Sequence, residues 1–322
     1  MMFVCPQCKG ELEQPGESYR CLLCGRIYPI ICGIPDFRLA PDPYIGLAAD
    51  REKGRLLAEA GLQRSFADLV RFYYSITPED PADLAKHWIA RTLAEVEIAR
   101  FTFETYGVSG GQFLDLGCST GAMLIAAARS CAVLVGVDVA FRWLIMGQAR
   151  LRELGVPANL ICANAEYLPF RADSFDAVTA VDLLEHVLRA EAVVQEAFRV
   201  SRPGARNVFR TNNRFAPIPE PHVHLWGIGM LPRAWQPRYV SRRRKDLHPY
   251  QIQLRSVREL ERICRNAGYR SVVVSSAVMH APQIKSPIVQ QAIRVYNAVG
   301  TWPVISELLK LAGPVLVSVA EK

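Results

Sequence analysis

The sequence predicts an α/β fold, a parallel sheet with helices on both faces, preceded by a small metal-organised module. Three observations carry this. From Gln112 onward, short apolar runs alternate with helical stretches, the pattern of strands buried on both sides. Within it, Phe113-Leu-Asp-Leu-Gly-Cys-Ser-Thr-Gly-Ala-Met123 passes from an apolar run through an acid and a glycine into a helix, and Val133-Leu-Val-Gly-Val-Asp138 is a second apolar run ending in an acid. Ahead of both, Cys5-Pro-Gln-Cys8 and Cys21-Leu-Leu-Cys24 are two CxxC pairs.

The composition fits such a chain. Of its 322 residues, 50% are hydrophobic and 21% charged, which excludes a disordered protein. The net charge of +7 suits an anionic partner: nucleic acid, a phospholipid surface or an anionic substrate. Met1-Met-Phe-Val-Cys-Pro6 has no basic leader, and no run reaches the roughly 18 apolar residues of a spanning helix. The expectation is a cytoplasmic protein whose cysteines are reduced or metal-bound.

Taken in order, residues 1–40 form the first module. Each CxxC pair suits a tight turn that aims two thiolates at one ion, and twelve residues separate the pairs. Cys5, Cys8, Cys21 and Cys24 then complete a closed tetrahedral site, structural rather than catalytic, with Zn2+ as its ion. With Arg26-Ile-Tyr-Pro-Ile30 and Gly33-Ile-Pro-Asp-Phe37, this segment resembles the zinc-ribbon family whose free-standing members are partner subunits of methyltransferases. A ribbon this short depends on its metal for much of its folding free energy.

Pro41-Asp-Pro43 marks the exit. Residues 41–108 read as a helical linker or lid, with helical periodicity over 47–74 and 81–106 and a break at Thr77-Pro-Glu-Asp-Pro81. The α/β domain follows at 109–322. Strands are expected at 112–116, 133–138, 158–163, 176–181, 206–211, 270–278 and 314–320. Helices are expected at about 120–130, 141–154, 189–201 and 256–267. Two inserts interrupt the alternation: 213–254, rich in Pro, His, Trp and Arg, and 279–313, apolar and helical.

The residues of the first domain turn point to a cofactor. Gly117 lets backbone approach a ligand, and Gly121 lets the helix start pack closely. Ser119 stands where a dinucleotide site carries its middle glycine, and Asp115 precedes the first. An acid there repels a pyrophosphate but suits a cationic, amino-acid-bearing ligand, a description that S-adenosylmethionine (SAM) meets. Asp138 ends the second strand and can accept from both ribose hydroxyls. Asn164, in Ala163-Asn-Ala-Glu-Tyr-Leu-Pro-Phe170, lies where a side chain meets the adenine plane.

With Ser174-Phe-Asp-Ala-Val-Thr-Ala-Val-Asp-Leu-Leu-Glu-His186, the run from Phe113 to Asn212 resembles the core of class I SAM-dependent methyltransferases, in particular the ubiquinone- and menaquinone-biosynthesis branch. The resemblance implies a Rossmann-like seven-stranded sheet with a reversed last strand. It also implies Gly117 under the methionine part, Asp138 on the ribose, and Asn164, Ala165 and Glu166 beside the adenine. Ser119 replaces the family's usual glycine and Asn164 its usual aspartate.

Methyl transfer to a hydroxyl or carbon acid requires a proton to be removed. Asp182, Glu185 and His186, at i, i+3 and i+4, would share one face of a helical turn. In the resembling branch this element lies beside the cofactor, and some members are thought to hold a divalent cation there. His222 and His224 would face the same way in an extended segment, as bases or as metal ligands. The leading function is methylation of an oxygen or carbon on a small-molecule or lipid-like acceptor, the apolar insert covering a hydrophobic substrate or touching a membrane. The turn after the fourth strand lacks the Asn/Asp-Pro-Pro-aromatic signature of amine methylation. One alternative is an rRNA or tRNA methyltransferase that uses the ribbon and the basic run Arg238, Arg242, Arg243, Arg244 and Lys245. The other is a non-catalytic scaffold.

Overall fold

The structure, a computed structural model, describes residues 3–77, 81–245 and 251–322. Most of the expected break at Thr77–Pro81, and Met1 and Met2, fall outside the described residues.

Residues up to Pro35 form a four-stranded antiparallel sheet, β1 (Leu12–Glu13), β2 (Ser18–Cys21), β3 (Ile27–Ile31) and β4 (Ile34–Pro35). Too small to enclose a core of its own, it shares one. Phe3, Tyr28 and Phe37 pack ring on ring, and Phe3 also meets Phe170 of the large domain. Phe37 N donates to Cys162 O at 2.7 Å, so the chain leaves the ribbon alongside an edge strand of the main sheet.

Three helices follow: α1 (Leu47–Ala60), α2 (Phe66–Ser75) and α3 (Ala82–Tyr106). The stretch expected to run helically over 47–74 breaks at Gly61–Ser65. The Ser65 hydroxyl accepts from Asp68 N and starts α2 afresh. Leu57, Leu69, Tyr73 and Phe103 from these helices are buried with Phe113, Leu124 and Phe141 of the α/β domain. Gly54 lets α1 lie directly on Phe141, whose ring a Cβ at that position would overlap.

The main sheet holds β5 (Gly110–Leu116), β6 (Cys131–Asp138), β7 (Asn159–Cys162), β8 (Phe175–Val181), β9 (Ser201–Asn212), β10 (Ser271–Ser276) and β11 (Val315–Glu321). Their order is β10-β11-β9-β8-β5-β6-β7, with β11 alone running against the other six, the seven-stranded sheet with a reversed last strand that the family resemblance implies. The helices between them are α4 (Ala122–Ala127), α5 (Phe141–Glu153), α6 (Ala190–Val200), α7 (Gln236–Arg243), α8 (Val257–Ala267), α9 (Pro287–Val299) and α10 (Pro303–Ala312). The insert at 213–254 contributes α7 and two short 3-10 turns; that at 279–313 is the α9–α10 hairpin. Strand order reverses at β5, which opens a crevice at the carboxyl ends of β5, β6 and β8.

A buried array of charge joins ribbon, helices and sheet. Arg38 donates to Asp36 at 2.7 Å and to Asp50 at 2.6 Å; Arg142 donates to Asp42 and Asp50, both at 2.8 Å. Asp50 also accepts Phe141 N at 2.9 Å, at the start of α5. Removing one partner from such an array leaves uncompensated charge out of water. Asp50→Ala should therefore cost about 3 kcal/mol or more in chemical denaturation. A loss within that of an ordinary surface substitution, below ~0.5 kcal/mol, would mean that the array does not hold the fold.

Candidate active site

The turn after β5 is fixed to β6. Gly117 N and Cys118 N both donate to Val137 O, at 2.8 and 3.0 Å. Gly117 has φ 71°, and a Cβ there would sit 3.1 Å from Leu183. Ser119 adopts φ 47°, the left-handed region where glycine is at ease and other residues lose about 1–2 kcal/mol. That explains both the glycine expected at this position and the irregularity of a serine. Ser119 N donates to Asp138 Oδ2 and Ala140 N to Asp138 Oδ1, each at 2.8 Å. Burial raises the Asp138 carboxyl to about 6, against these two donors. Each oxygen keeps lone-pair capacity for a further donor.

Asp115 is buried near the end of β5. It lies in the sheet interior, accepts from the Thr179 hydroxyl at 2.7 Å, and is pushed up to about 8 by burial.

Asn164 has another task as well. Its Oδ1 accepts Leu39 N at 2.9 Å and Ala40 N at 3.2 Å, and its Nδ2 donates to Ala40 O at 3.3 Å. An aspartate cannot make the third bond, so the amide suits a backbone clamp. The strap leaving the ribbon thus lies across the end of β7. It continues to Tyr44, whose hydroxyl is 3.5 Å from His186 Nδ1. Ala165 is buried behind Asn164, and burial raises the carboxyl of Glu166.

Asp182, Glu185 and His186 do not share a face. Asp182 takes φ 54°, so the segment turns instead of coiling into a helix. Asp182 Oδ2 pairs with Arg210 at 2.9 Å and Arg91 at 3.2 Å. Burial disfavours its charge, but the two guanidinium groups outweigh burial and hold the carboxyl below its ordinary value. Glu185 points back to β9 and accepts from Thr211 at 2.9 Å and Asn212 Nδ2 at 3.0 Å. Burial and the neighbouring Asp182 raise it to about 7. His186 is pulled down to about 3 by burial and by His222, and stays neutral.

His222 and His224 do not face the same way either, because residues 221–224 form a turn. His222 points inward. Its ring packs 4.7 Å from His186 and 5.6 Å from Trp88, and its Nδ1 lies 2.5 Å from Glu220 Oε1. Burial opposes its protonation, yet Glu220 overcomes burial and the pKa is raised. His224 turns outward to Asp83, 3.8 Å away, and to the ring of His87. The basic run is also divided: Arg243 stacks on Tyr239 and Arg244 reaches Asp83.

The sequence reading missed the α3 contribution. His87, Arg91 and Glu95, spaced by four, form a polar stripe along one side of α3, with Trp88 beside it. Arg91 meets Asp182, and Glu95 accepts from the Thr120 hydroxyl at 2.8 Å in the glycine turn. Arg91 Nη1 and Asp182 Oδ1 are buried without a hydrogen-bond partner among the described residues. Such orphaned atoms at the mouth of a crevice fit a polar ligand between them. SAM suits this set: donor-held Asp138 after a close backbone approach at Gly117, with an unmatched Asp182 carboxylate oxygen at the end of β8.

In the ribbon the four Sγ atoms of Cys5, Cys8, Cys21 and Cys24 lie within 4.8 Å of one another. A Cβ on Gly10 would come within 3.3 Å of two of them, so glycine keeps the cradle open. Four converging thiols of this spacing fit a tetrahedral zinc ion. No other group of three or more metal-ligating side chains converges among the described residues.

Comparison with known proteins identifies the family. The methyltransferase-domain family matches residues 114–209. A ubiquinone biosynthesis O-methyltransferase of Hahella chejuensis is 33% identical over 165 residues, which cover 47% of this chain and 68% of that one. A Pseudomonas fluorescens protein of the same description is 32% identical over 126 residues, 39% of this chain and 52% of the relative. A ubiquinone/menaquinone biosynthesis C-methyltransferase of Salmonella paratyphi B is 27% identical over 228 residues, 62% and 88% of the two chains. The chain thus spans about half the length of the Pseudomonas relative. It belongs to the class I SAM-dependent methyltransferases.

Metal analysis should find about one zinc per chain, as a single closed four-thiolate site requires. Cys21→Ser should lose the zinc and expose the ribbon to limited proteolysis. Protein that is zinc-free as purified, and as protease-resistant after the substitution as before, contradicts the assignment.

Proposed function

We propose that this protein transfers a methyl group from SAM to an oxygen or carbon of a small-molecule or lipid-like acceptor. The observation that carries the reading is the Asp138 carboxylate held by Ser119 N and Ala140 N at the end of β6, with the orphaned Asp182 oxygen after β8, across β5 in the same sheet. SAM, when bound, supplies an electrophilic methyl group. Asp138 would hold the ribose hydroxyls, and Gly117 would leave room for the methionine part. With the Asn164 oxygen engaged by the strap, backbone near Ala165 becomes the better candidate for the adenine edge. A structural zinc ion in the ribbon would fix the strap that closes this end.

His222 is the preferred base. Glu220, buried and accepting His222 N and Val223 N as well as the ring, orients the imidazole and leaves Nε2 to take a proton from the acceptor. Glu185 and His186 support the site instead: one is bonded to β9, and the other is held neutral and packs on the His222 ring, which meets Trp88 to complete an aromatic wall. An acceptor of the ubiquinone-biosynthetic type, which the relatives' names state, is compatible with that wall. The RNA-directed alternative has a basic run that is partly engaged within the protein.

The test is incubation with methyl-labelled SAM and fractionated host extract, followed by a pH profile. Label should enter lipids or small metabolites, and the rate should rise with pH through a value above 6.5, the ordinary histidine pKa, as His222 loses its proton. His222→Asn should lower kcat about 10²–10⁴-fold and abolish that limb. Label confined to RNA would favour the alternative, and absence of SAM binding in calorimetry would favour a scaffold.

A further inference from the structure

The α9–α10 hairpin is presented rather than packed. Neither helix contains a buried residue. Its inner edge is bound to the sheet: Tyr296 OH donates to Ala277 O at 3.1 Å, and Asn297 exchanges two 2.9 Å bonds with Met279. The outer edge has no such partners. Ile288, Ala292 and Val295 are exposed at i, i+4 and i+7 on α9; Val304, Leu308 and Leu311 repeat the spacing on α10. Ile288 is 82% and Val304 73% exposed, and Trp302 stands exposed at the tip between the helices. Two amphipathic helices held rigidly with their apolar faces outward need a covering phase.

The neighbouring charge identifies that phase. On α8, Arg258, Arg262 and Arg265 are exposed at the same i, i+4, i+7 spacing. Among the described residues, these three, Arg270, and Lys285 and Arg294 of the hairpin region form no ion pair with a carboxylate. The stripe adjoins the apolar face, because Val304, Leu308 and Leu311 line one groove with Val257 and Glu261 of α8. We propose that this face binds the surface of an anionic lipid bilayer, with the apolar edge of the hairpin at the acyl boundary and the arginines among the headgroups. Apolar area and basic charge both strengthen such binding, at about 1 kcal/mol for each basic residue near an anionic surface. A second copy would cover the apolar edge equally well, but a two-fold contact there brings two arginine stripes toward each other. RNA would match the arginines and leave Ile288, Val304 and Leu308 exposed to water.

The inference stands apart from the identity of the methyl acceptor. Its test is flotation of the full chain with vesicles of phosphatidylcholine alone and of phosphatidylcholine with phosphatidylglycerol, across a salt series. Binding should require phosphatidylglycerol and weaken as salt rises. Leu308→Asp and the double change Arg258→Glu with Arg262→Glu should each weaken it about ten-fold or more. All these positions are exposed, so thermal unfolding and SAM affinity should be unchanged. Equal binding to both vesicles, or binding that survives Leu308→Asp, overturns the proposal. So does a dimer that Leu308→Asp dissociates in the absence of vesicle binding, which assigns the face to a second copy. Salt-sensitive RNA binding without vesicle binding assigns it to nucleic acid.

Discussion

Asp50 is the point where the separate parts of this chain are brought into one register. Its carboxylate, on α1, receives Arg38 from the ribbon exit and both the side chain and the backbone of Arg142 at the start of α5. Phe141 N completes its partners, so a negative charge sits at the positive end of a helix. A buried ion pair need not add net stability over an apolar contact of the same shape. What it does add is position. Arg38 also donates to Val139 O at 3.0 Å, next to the carboxylate that would hold the ribose. The strap, the first turn of α5 and the loop after β6 therefore move together or not at all.

From this constraint the rest of the cofactor end follows. The ribbon lacks a core of its own and shares that of the sheet through Phe3, Tyr28 and Phe37. Its exit segment is clamped by Asn164, runs past the Asp138 loop and reaches His186 through Tyr44. Helix α3 closes the opposite side with Arg91 and Glu95. The region that reads as a linker is thus one wall of the crevice.

Most of the fold was legible because strands buried on both faces are written as apolar runs, and because Gly117 and Gly121 carry a backbone requirement that few other residues meet. The break at Gly61 was present in the text, as a glycine followed by a capping serine. It was hidden by apolar spacing that continues through α1 and α2, since both pack on the same core. The positions of Asp115 and Asp138 were legible, but the burial that raises both carboxyls was not, because distant segments create it. The grouping of Asp182, Glu185 and His186 failed for a local reason, the left-handed backbone at Asp182. That of His222 and His224 failed because the segment turns at Glu220, whose carboxylate caps two backbone amides and takes the His222 ring. No spacing rule for isolated histidines contains that information.

The central claim is that ribbon, strap and cofactor turn form one coupled unit. Calorimetric titration of SAM into the zinc-loaded protein and into the same protein after chelation tests it most directly. The account predicts that losing the metal loosens the strap over Asn164 and Asp138 and weakens SAM binding, by a factor within the 5–150-fold range typical of coupled sites, about ten-fold at the centre. Identical affinities, with circular dichroism showing the ribbon unfolded, would contradict it.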